Sequence, residues 1–211
     1  MKAKKRKTYH HGDLKRTLMK VALDAIRQHG VDSLTLRTLA TRAGVSSGAP
    51  YHHFGGRDEL LAALAAEGFE LLASRMLHAR EASDASPAAR LKSLGIAYVD
   101  FARTHIGHFK VMFRGELQGA AGSALAIEGE RAFGLLREAV EQCQQAGQAP
   151  AGDPSPLVLY AWTTVHGLAS LMIDGSLKKI PLPTDKLPEV VTELTERLFG
   201  ALAEAGTGRQ A

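Results

Sequence analysis

Residues 34–61 read LTLRTLATRAGVSSGAPYHHFGGRDELL, and the fold turns on how this stretch divides. Thr35 is placed to cap a short helix whose Leu36, Leu39 and Ala40 face inward. Gly44 then supplies the left-handed residue of a tight turn. Ser46 can cap a second short helix, with Ser47, Gly48, Ala49 and Pro50 in its first four positions. The first four N–H groups of a helix have no internal acceptor, so a proline there forfeits little, although it disfavours the helical region for Ala49. No bulky side chain stands on residues 47–49, so this tip can come very close to a neighbour. Helix, glycine turn and second short helix form the layout of a helix-turn-helix unit.

The flanking sequence is helical in both directions. Upstream, Leu14, Leu18, Val21, Ala22, Ala25 and Ile26 recur on one face from Asp13 onward, and Gly30 closes the segment. Downstream, Leu60, Leu61, Leu64, Phe69, Leu71 and Leu72 predict a long helix toward Arg80, interrupted by EASDASPAA at 81–89. Ser86-Pro87 and Ser155-Pro156 each read as an N-cap followed by proline at the first helical position. Leu91, Leu94, Tyr98, Phe101 and His105 continue the first of these. A further helix is expected over 123–145, with Ala132, Phe133, Leu136, Val140 and Cys143 inward, and a last one from about Asp185. No strand alternation competes, so the fold class is all-α, with about nine helices. The expected division is a basic arm at 1–12, a three-helix helix-turn-helix domain at 13–57 and a larger helical domain at 58–211.

Charge divides the chain the same way. Residues 1–57 hold twelve Lys/Arg against three acids, a local excess of +9 that leaves −5 for the remainder of a chain with net charge +4. A basic end on an acidic body points to a polyanionic partner for the first segment. The basic start MKAKKRK is followed by polar TYHHGD rather than an apolar run, which does not read as a secretion signal. The lone Cys143 cannot form an internal disulfide, and a reducing cytoplasm fits. Residues 154–173 are uncharged and about the length of a bilayer span, yet they contain two prolines, several hydroxyls and His166 and lack strong basic flanks. They read as a helix buried against protein, with no membrane partner.

The polar groups around the slim tip suit double-stranded DNA. A helix N-terminus carries partial positive charge and free N–H donors, for which phosphate is a natural neighbour. Tyr51 and His53 can bond phosphate oxygens, and Arg57 at the start of the next helix can hold the backbone electrostatically. Arg37 is long enough to reach a base edge, where a bidentate contact to guanine is the commonest specific pairing. A recognition helix in the major groove has this geometry.

Across these residues the sequence resembles the TetR/AcrR family of transcriptional regulators. Thr35, Leu39-Ala40, Ala43-Gly44-Val45-Ser46, Gly48, Tyr51, Phe54, Arg57 and Glu59-Leu60 fall where that family's N-terminal pattern has them. The resemblance implies that Thr35, Ser46, Tyr51, His53 and Arg57 contact phosphates, that Arg37, Ser47, Ala49 and Pro50 face base edges around Gly48, and that Leu39 and Phe54 are core. Ser47 and Gly55 depart from the family, which often carries basic residues there. Ala49 or Pro50 against a thymine methyl would give a more apolar readout, and the lysine-rich arm could track phosphates or a neighbouring groove. WTTVHGLASL at 162–171, with YHHGD at 9–13, is similar to a subgroup named for a Trp-His-Gly element. In that family the last two long helices, here 155–174 and 185–204, pair with their copies in a homodimeric four-helix bundle. Two recognition helices about 34 Å apart then read a palindromic operator.

The resemblance further implies a cavity for a small, largely apolar or aromatic effector, whose binding shifts the helix beginning at Arg57 and releases a repressor from its operator. Phe101, His105, Phe109, Met112, Phe113, Trp162 and His166 are the candidate ligand contacts, although aromatic residues at helical spacing also make ordinary core. His105 and His108 have a spacing seen in metal sites but no accompanying carboxylate signature, so neither metal nor cofactor is expected. Ser170, His166 and Asp174 could be imagined as a hydrolase triad, but no nucleophile elbow accompanies them, and an enzyme is not expected. Three alternatives stay open: an activator or co-regulator without effector, an enzyme using the aromatic cavity, and non-specific DNA packaging.

Overall fold

The computed structural model describes residues 11–83, 86–117 and 122–179, together with Lys186, Glu189, Val190, Glu193, Leu194 and Arg197. Every regular element among them is helical: α1 (His11–His29), α2 (Leu36–Ala43), α3 (Arg57–Glu81), α4 (Pro87–Thr104), α5 (Ile106–Met112), α6 (Ala124–Gln145) and α7 (Ser155–Ile173). Short 3-10 turns occupy Val31–Ser33, Ala49–His52, Gly115–Leu117 and Ser176–Lys179. The described residues thus form seven α-helices rather than about nine. The second helix of the helix-turn-helix is reduced to the 3-10 turn at Ala49–His52, since Pro50 offers no N–H and biases Ala49 away from helix. The last expected helix lies mostly outside the described residues, although Glu189, Val190, Glu193, Leu194 and Arg197 are helical. The basic arm is outside them up to residue 10, and α1 has already begun at His11.

Local capping chemistry sets most of the boundaries. The Thr38 N–H donates to Thr35 Oγ1 at 3.1 Å while the Thr35 N–H donates to Thr38 Oγ1 at 3.1 Å, a reciprocal box that starts α2. Gly44, at φ +68°, ends it in the left-handed conformation that side chains disfavour. Ser86 Oγ accepts from the Ala89 N–H at 3.1 Å and Ser123 Oγ from the Ala126 N–H at 3.2 Å, capping α4 and α6. At α7 the cap moves back: Ser155 is already helical, and Asp153 Oδ1 accepts its N–H at 2.9 Å.

Two apolar cores share the helices. Leu18, Ala22 and Ile26 of α1, Leu36 and Leu39 of α2, Phe54 and the first turns of α3 make the smaller one. The latter half of α3 joins α4, α6 and α7 around the larger, which includes Leu72, Met76, Leu94, Tyr98, Leu135 and Val140. Phe133, expected inward, is 38% exposed, and Leu135 takes the buried place instead. The boundary expected at 57/58 falls at the head of α3, but that helix runs on through both cores.

The short α5 also belongs to both. The chain bends at His105 (φ −122°, ψ 46°), ending α4 and starting α5 at a new angle. Val111 enters the smaller core while Phe109 and Met112 enter the larger. Gly107 permits this by lying on the backbone of α1: a Cβ there would stand 2.9 Å from the Leu23 carbonyl oxygen. Backbone cannot yield as a side-chain tip can. Gly107→Ala is therefore expected to lower unfolding stability by about 1–3 kcal/mol. Gly134→Ala in α6, where a Cβ meets nothing within 4 Å, is expected to be neutral or to stabilise by up to about 1 kcal/mol. Urea titrations of the two variants check the contrast.

Candidate nucleic-acid interface and apolar cavity

The turn from α2 to α3 is held by a short ladder. The Val45 N–H reaches the Ala40 carbonyl at 3.1 Å, Ala49 donates to Ser46 at 3.0 Å, Tyr51 to Gly48 at 3.1 Å, and Phe54 to Pro50 at 3.0 Å. With about three residues per turn in 3-10 geometry, positions 50 and 53 lie inward and 51 and 52 outward. Pro50 is buried and Tyr51 is 59% exposed. Ser46, Ser47, Gly48 and His52 are exposed, as are Thr35 and Arg37 along α2. The Arg37 guanidinium has no hydrogen bond or ion pair among the described residues. Exposed Lys15, on α1, sets its Nζ 5.6 Å from the Phe54 ring centroid, adding a cation beside the same turn.

Gly48 has φ −82° and ψ −19°, a conformation open to any residue, and a Cβ built there meets nothing within 4 Å. Nothing among the described residues requires glycine at this position.

Three expected contacts are placed differently. Buried Pro50 supports the turn instead of facing outward. His53 is half-buried, and its Nε2 is enclosed with no partner among the described residues. The Arg57 guanidinium turns back into the chain, donating from Nε to the Leu34 carbonyl at 3.0 Å and from Nη2 to Val31 at 3.1 Å, with Asp32 and Asp58 each 3.7 Å away. Those carbonyls close the loop between α1 and α2, so Arg57 anchors α3 to it. Arg114, beyond α5, reaches the same loop through Asp32 at 3.2 Å. His52 and Lys15 were not singled out by sequence reasoning; the outward side of a three-residue-per-turn element would have identified His52.

In the larger core, Tyr98, Phe109, Phe113, Trp162 and His166 form one aromatic cluster, with Phe113 4.6 Å and Trp162 5.2 Å from the His166 ring. The Tyr98 hydroxyl and His166 Nδ1 are 2.7 Å apart. Burial raises the Tyr98 phenol well above its ordinary range and lowers His166, so this is a neutral pair. The Trp162 indole N–H lies near enough to the Tyr98 oxygen to oppose that rise weakly, but not in hydrogen-bond geometry, and it is buried without a partner among the described residues. Two small apolar cavities, about 40 and about 30 Å³, flank this cluster, and Met76, Tyr98, Leu136 and Trp162 line both. Of the expected ligand contacts, Phe113 and Trp162 line a cavity, and Phe109 and His166 stand behind them. Phe101, His105 and Met112 line neither: Phe101 is fully buried and stacks on His105 at 4.8 Å, and Met112 packs over Gly68. Tyr98 was read only as core because it falls in the apolar series of α4.

His108 is occupied by Glu67, 3.1 Å from its Nε2. Burial, with help from Arg75, lowers the His105 pKa. Among the described residues no group of three or more His, Cys, Asp or Glu is placed to hold a metal.

The expectation for α7 needs correction. It is long and apolar enough to cross a membrane by length and composition, with mean hydropathy 1.3, yet only 11% of that window is buried within the chain. Leu157, Val158, Ala161 and Ala169 pack inward, whereas Leu159 (56%) and Tyr160 (51%) are exposed, as is Leu171.

Known proteins share this arrangement. Residues 18–64 match the family described as bacterial regulatory proteins, tetR family, and residues 91–203 match the Tetracyclin repressor-like C-terminal domain. The chain belongs to the TetR family, whose members are transcriptional regulators, generally DNA-binding repressors. A solved structure of a protein of unknown function from Rhodococcus sp. RHA1 is 36% identical, covers 94% of this chain and 100% of its own, and superposes with a TM-score of 0.78. The class A tetracycline repressor of transposon 1721 from Escherichia coli is 37% identical over 98 residues, 43% of this chain and 44% of that protein, so the match spans under half of the repressor. AibR, solved with isovaleryl coenzyme A and operator DNA, shares the fold at 19% identity, 88% coverage of this chain, 97% of its own and a TM-score of 0.68.

The Arg57 anchor is testable without DNA. Arg57→Met removes both donors from carbonyls that close the α1–α2 loop, and is expected to cost about 1–3 kcal/mol of stability. Arg57→Lys should recover only part of it, since an ammonium cannot reproduce the guanidinium's fixed fork. Thermal and urea unfolding of both variants measure this.

Proposed function

We propose that this protein is a cytoplasmic, homodimeric, sequence-specific DNA-binding regulator, a repressor that leaves its operator when a small apolar or aromatic effector binds. The observation that carries the reading is the tip at 46–49: slim, exposed at Ser46, Ser47 and Gly48, and holding a glycine that no contact among the described residues requires. A glycine without internal cause leaves room for an external surface to come close. Arg37, unpaired among the described residues, and exposed Tyr51 flank it with a base-reading cation and a phosphate-bonding hydroxyl. Ser46, Ser47 and Ala49 complete the contact surface, and Thr35 borders it. Arg57 and Pro50 act by positioning α3 and the turn, and half-buried His53 by its packing at the base of that turn.

Dimerisation is supported by the uncovered apolar face of α7, which a twofold-related copy would bury. Coupling is supported by α5: displacement of Phe109 or Phe113 at the aromatic cluster moves a helix whose Gly107 rests on α1 and whose Val111 sits in the DNA-side core. A coupling of about 1–3 kcal/mol would suffice to shift operator occupancy.

Gly48→Ala is expected to leave unfolding stability unchanged or slightly higher and to weaken operator binding at least about tenfold, equivalent to about 1.4 kcal/mol. Arg37→Ala and Tyr51→Ala should abolish sequence-specific binding while the dimer persists. Fluorescence-anisotropy titrations on a selected operator measure all three, and unchanged affinity for Gly48→Ala and Arg37→Ala would remove this reading face. A double charge insertion on α7, Leu159→Glu with Leu171→Glu, is expected to give folded monomers in sedimentation velocity. A dimer that survives it would place the interface elsewhere.

A further inference from the structure

The apolar cavities carry enough chemistry to name a class of occupant, on the reading that effector binding controls the regulator. Among the described residues, no Lys, Arg, Asp or Glu lines either cavity. An ion entering would lose its hydration with no opposite charge in return, which strongly disfavours anions and cations alike. The polar atoms on the walls are few and mostly occupied. Thr164 donates its hydroxyl to the Tyr160 carbonyl at 2.8 Å, and the Tyr98 hydroxyl is engaged with His166. The Trp162 N–H is the exception: it is enclosed and makes no hydrogen bond among the described residues by geometry, although it lies near enough to the Tyr98 oxygen to act on it. Leaving such a donor unsatisfied is unfavourable, and an acceptor brought by a ligand would remove that penalty.

Size and shape add a second constraint. Cavities of about 40 and about 30 Å³ are each smaller than the space a benzene ring needs, for which about 150 Å³ is the scale. They share Met76, Tyr98, Leu136 and Trp162, so both spaces adjoin the same four side chains, the indole the largest among them. Phe133, 5.4 Å from Trp162 and partly exposed, stands at the outer side of the indole, while Phe113, 6.1 Å away, stands on the α5 side. Rotating Trp162 would join the cavities between aromatic walls that favour a flat ring packed edge-to-face or offset.

We infer that the Trp162 indole divides one larger space, and that the effector is an uncharged, ring-sized aromatic molecule carrying one hydrogen-bond acceptor, which displaces the indole and accepts its N–H. Binding then moves the residue in contact with Phe113, and so bears directly on α5.

Trp162 is the single tryptophan of the chain, so its indole N–H gives one resonance in a proton–nitrogen correlation spectrum of the full-length protein. Acetophenone, ethylbenzene and benzoate serve as probes of similar size: neutral with an acceptor, neutral without one, and anionic. Acetophenone is expected to move the indole resonance downfield and to bind at least about fivefold more tightly than ethylbenzene, the worth of one hydrogen bond, with benzoate weaker than both. Trp162→Phe should bring acetophenone to the ethylbenzene level; because that variant could lose packing, the wild-type resonance is an independent readout. Equal affinity for ethylbenzene and acetophenone, preference for benzoate, or an indole resonance unmoved by all three would overturn the inference. Operator binding of the ligand-free protein is measured on the same preparation. Its failure would sink the regulator reading instead, and leave the ligand class to the spectrum.

Discussion

The close seat of α5 on α1 constrains everything else in this molecule. At Gly107 the two backbones meet with no side chain between them, and four residues later Val111 fills the core beneath the helix-turn-helix. On the same seven-residue helix, Phe109 and Met112 belong to the core of the other end. Close-packed interiors transmit displacement because they have few voids to absorb it. On the proposed reading, a ring forced in beside Phe113 would bear on α1 through this helix. The loop between α1 and α2 is clasped from both directions, by Arg57 at the head of α3 and by Arg114 beyond α5. The DNA-side unit is thereby built onto the helices that surround the cavities.

Much of the fold was legible because its signals are local. The Thr35–Thr38 box, the left-handed Gly44 and the serine caps of α4 and α6 depend on residues within four positions of each other. What escaped depends on contacts distant in sequence. Nothing near Gly107 announces the Leu23 carbonyl, so α5 could not be recognised as a bridge. Arg57 reads as a surface cation until α3 delivers it to two carbonyls 23 and 26 residues earlier. Helical period alone placed Phe133 inward, but a period does not fix the phase to within one residue, and Leu135 took the buried position. Pro50 was misjudged because a 3-10 turn rotates each residue farther than an α-helix does, carrying it inward.

The cavity shows the same division. Trp162, His166, Phe109 and Phe113 were visible as an aromatic group, and they do assemble. Phe101, His105 and Met112 share their sequence neighbourhood but fall on other sides of α4 and α5, where stacking and glycine contacts use them structurally. Tyr98 joined the cluster from a position that looked like ordinary core. Its neutral pairing with His166 leaves the indole as the donor that apolar walls cannot satisfy. Burial and composition together, more than any single residue, set what such a site tolerates.

The central claim is that two copies of the slim tip enter successive major grooves on one face of DNA. Hydroxyl-radical footprinting of the dimer on its selected operator tests it directly. Two protected patches on one face of the duplex, centred about 34 Å apart or a multiple of that, are the expected result. A single protected patch, or uniform protection indifferent to sequence, would contradict it.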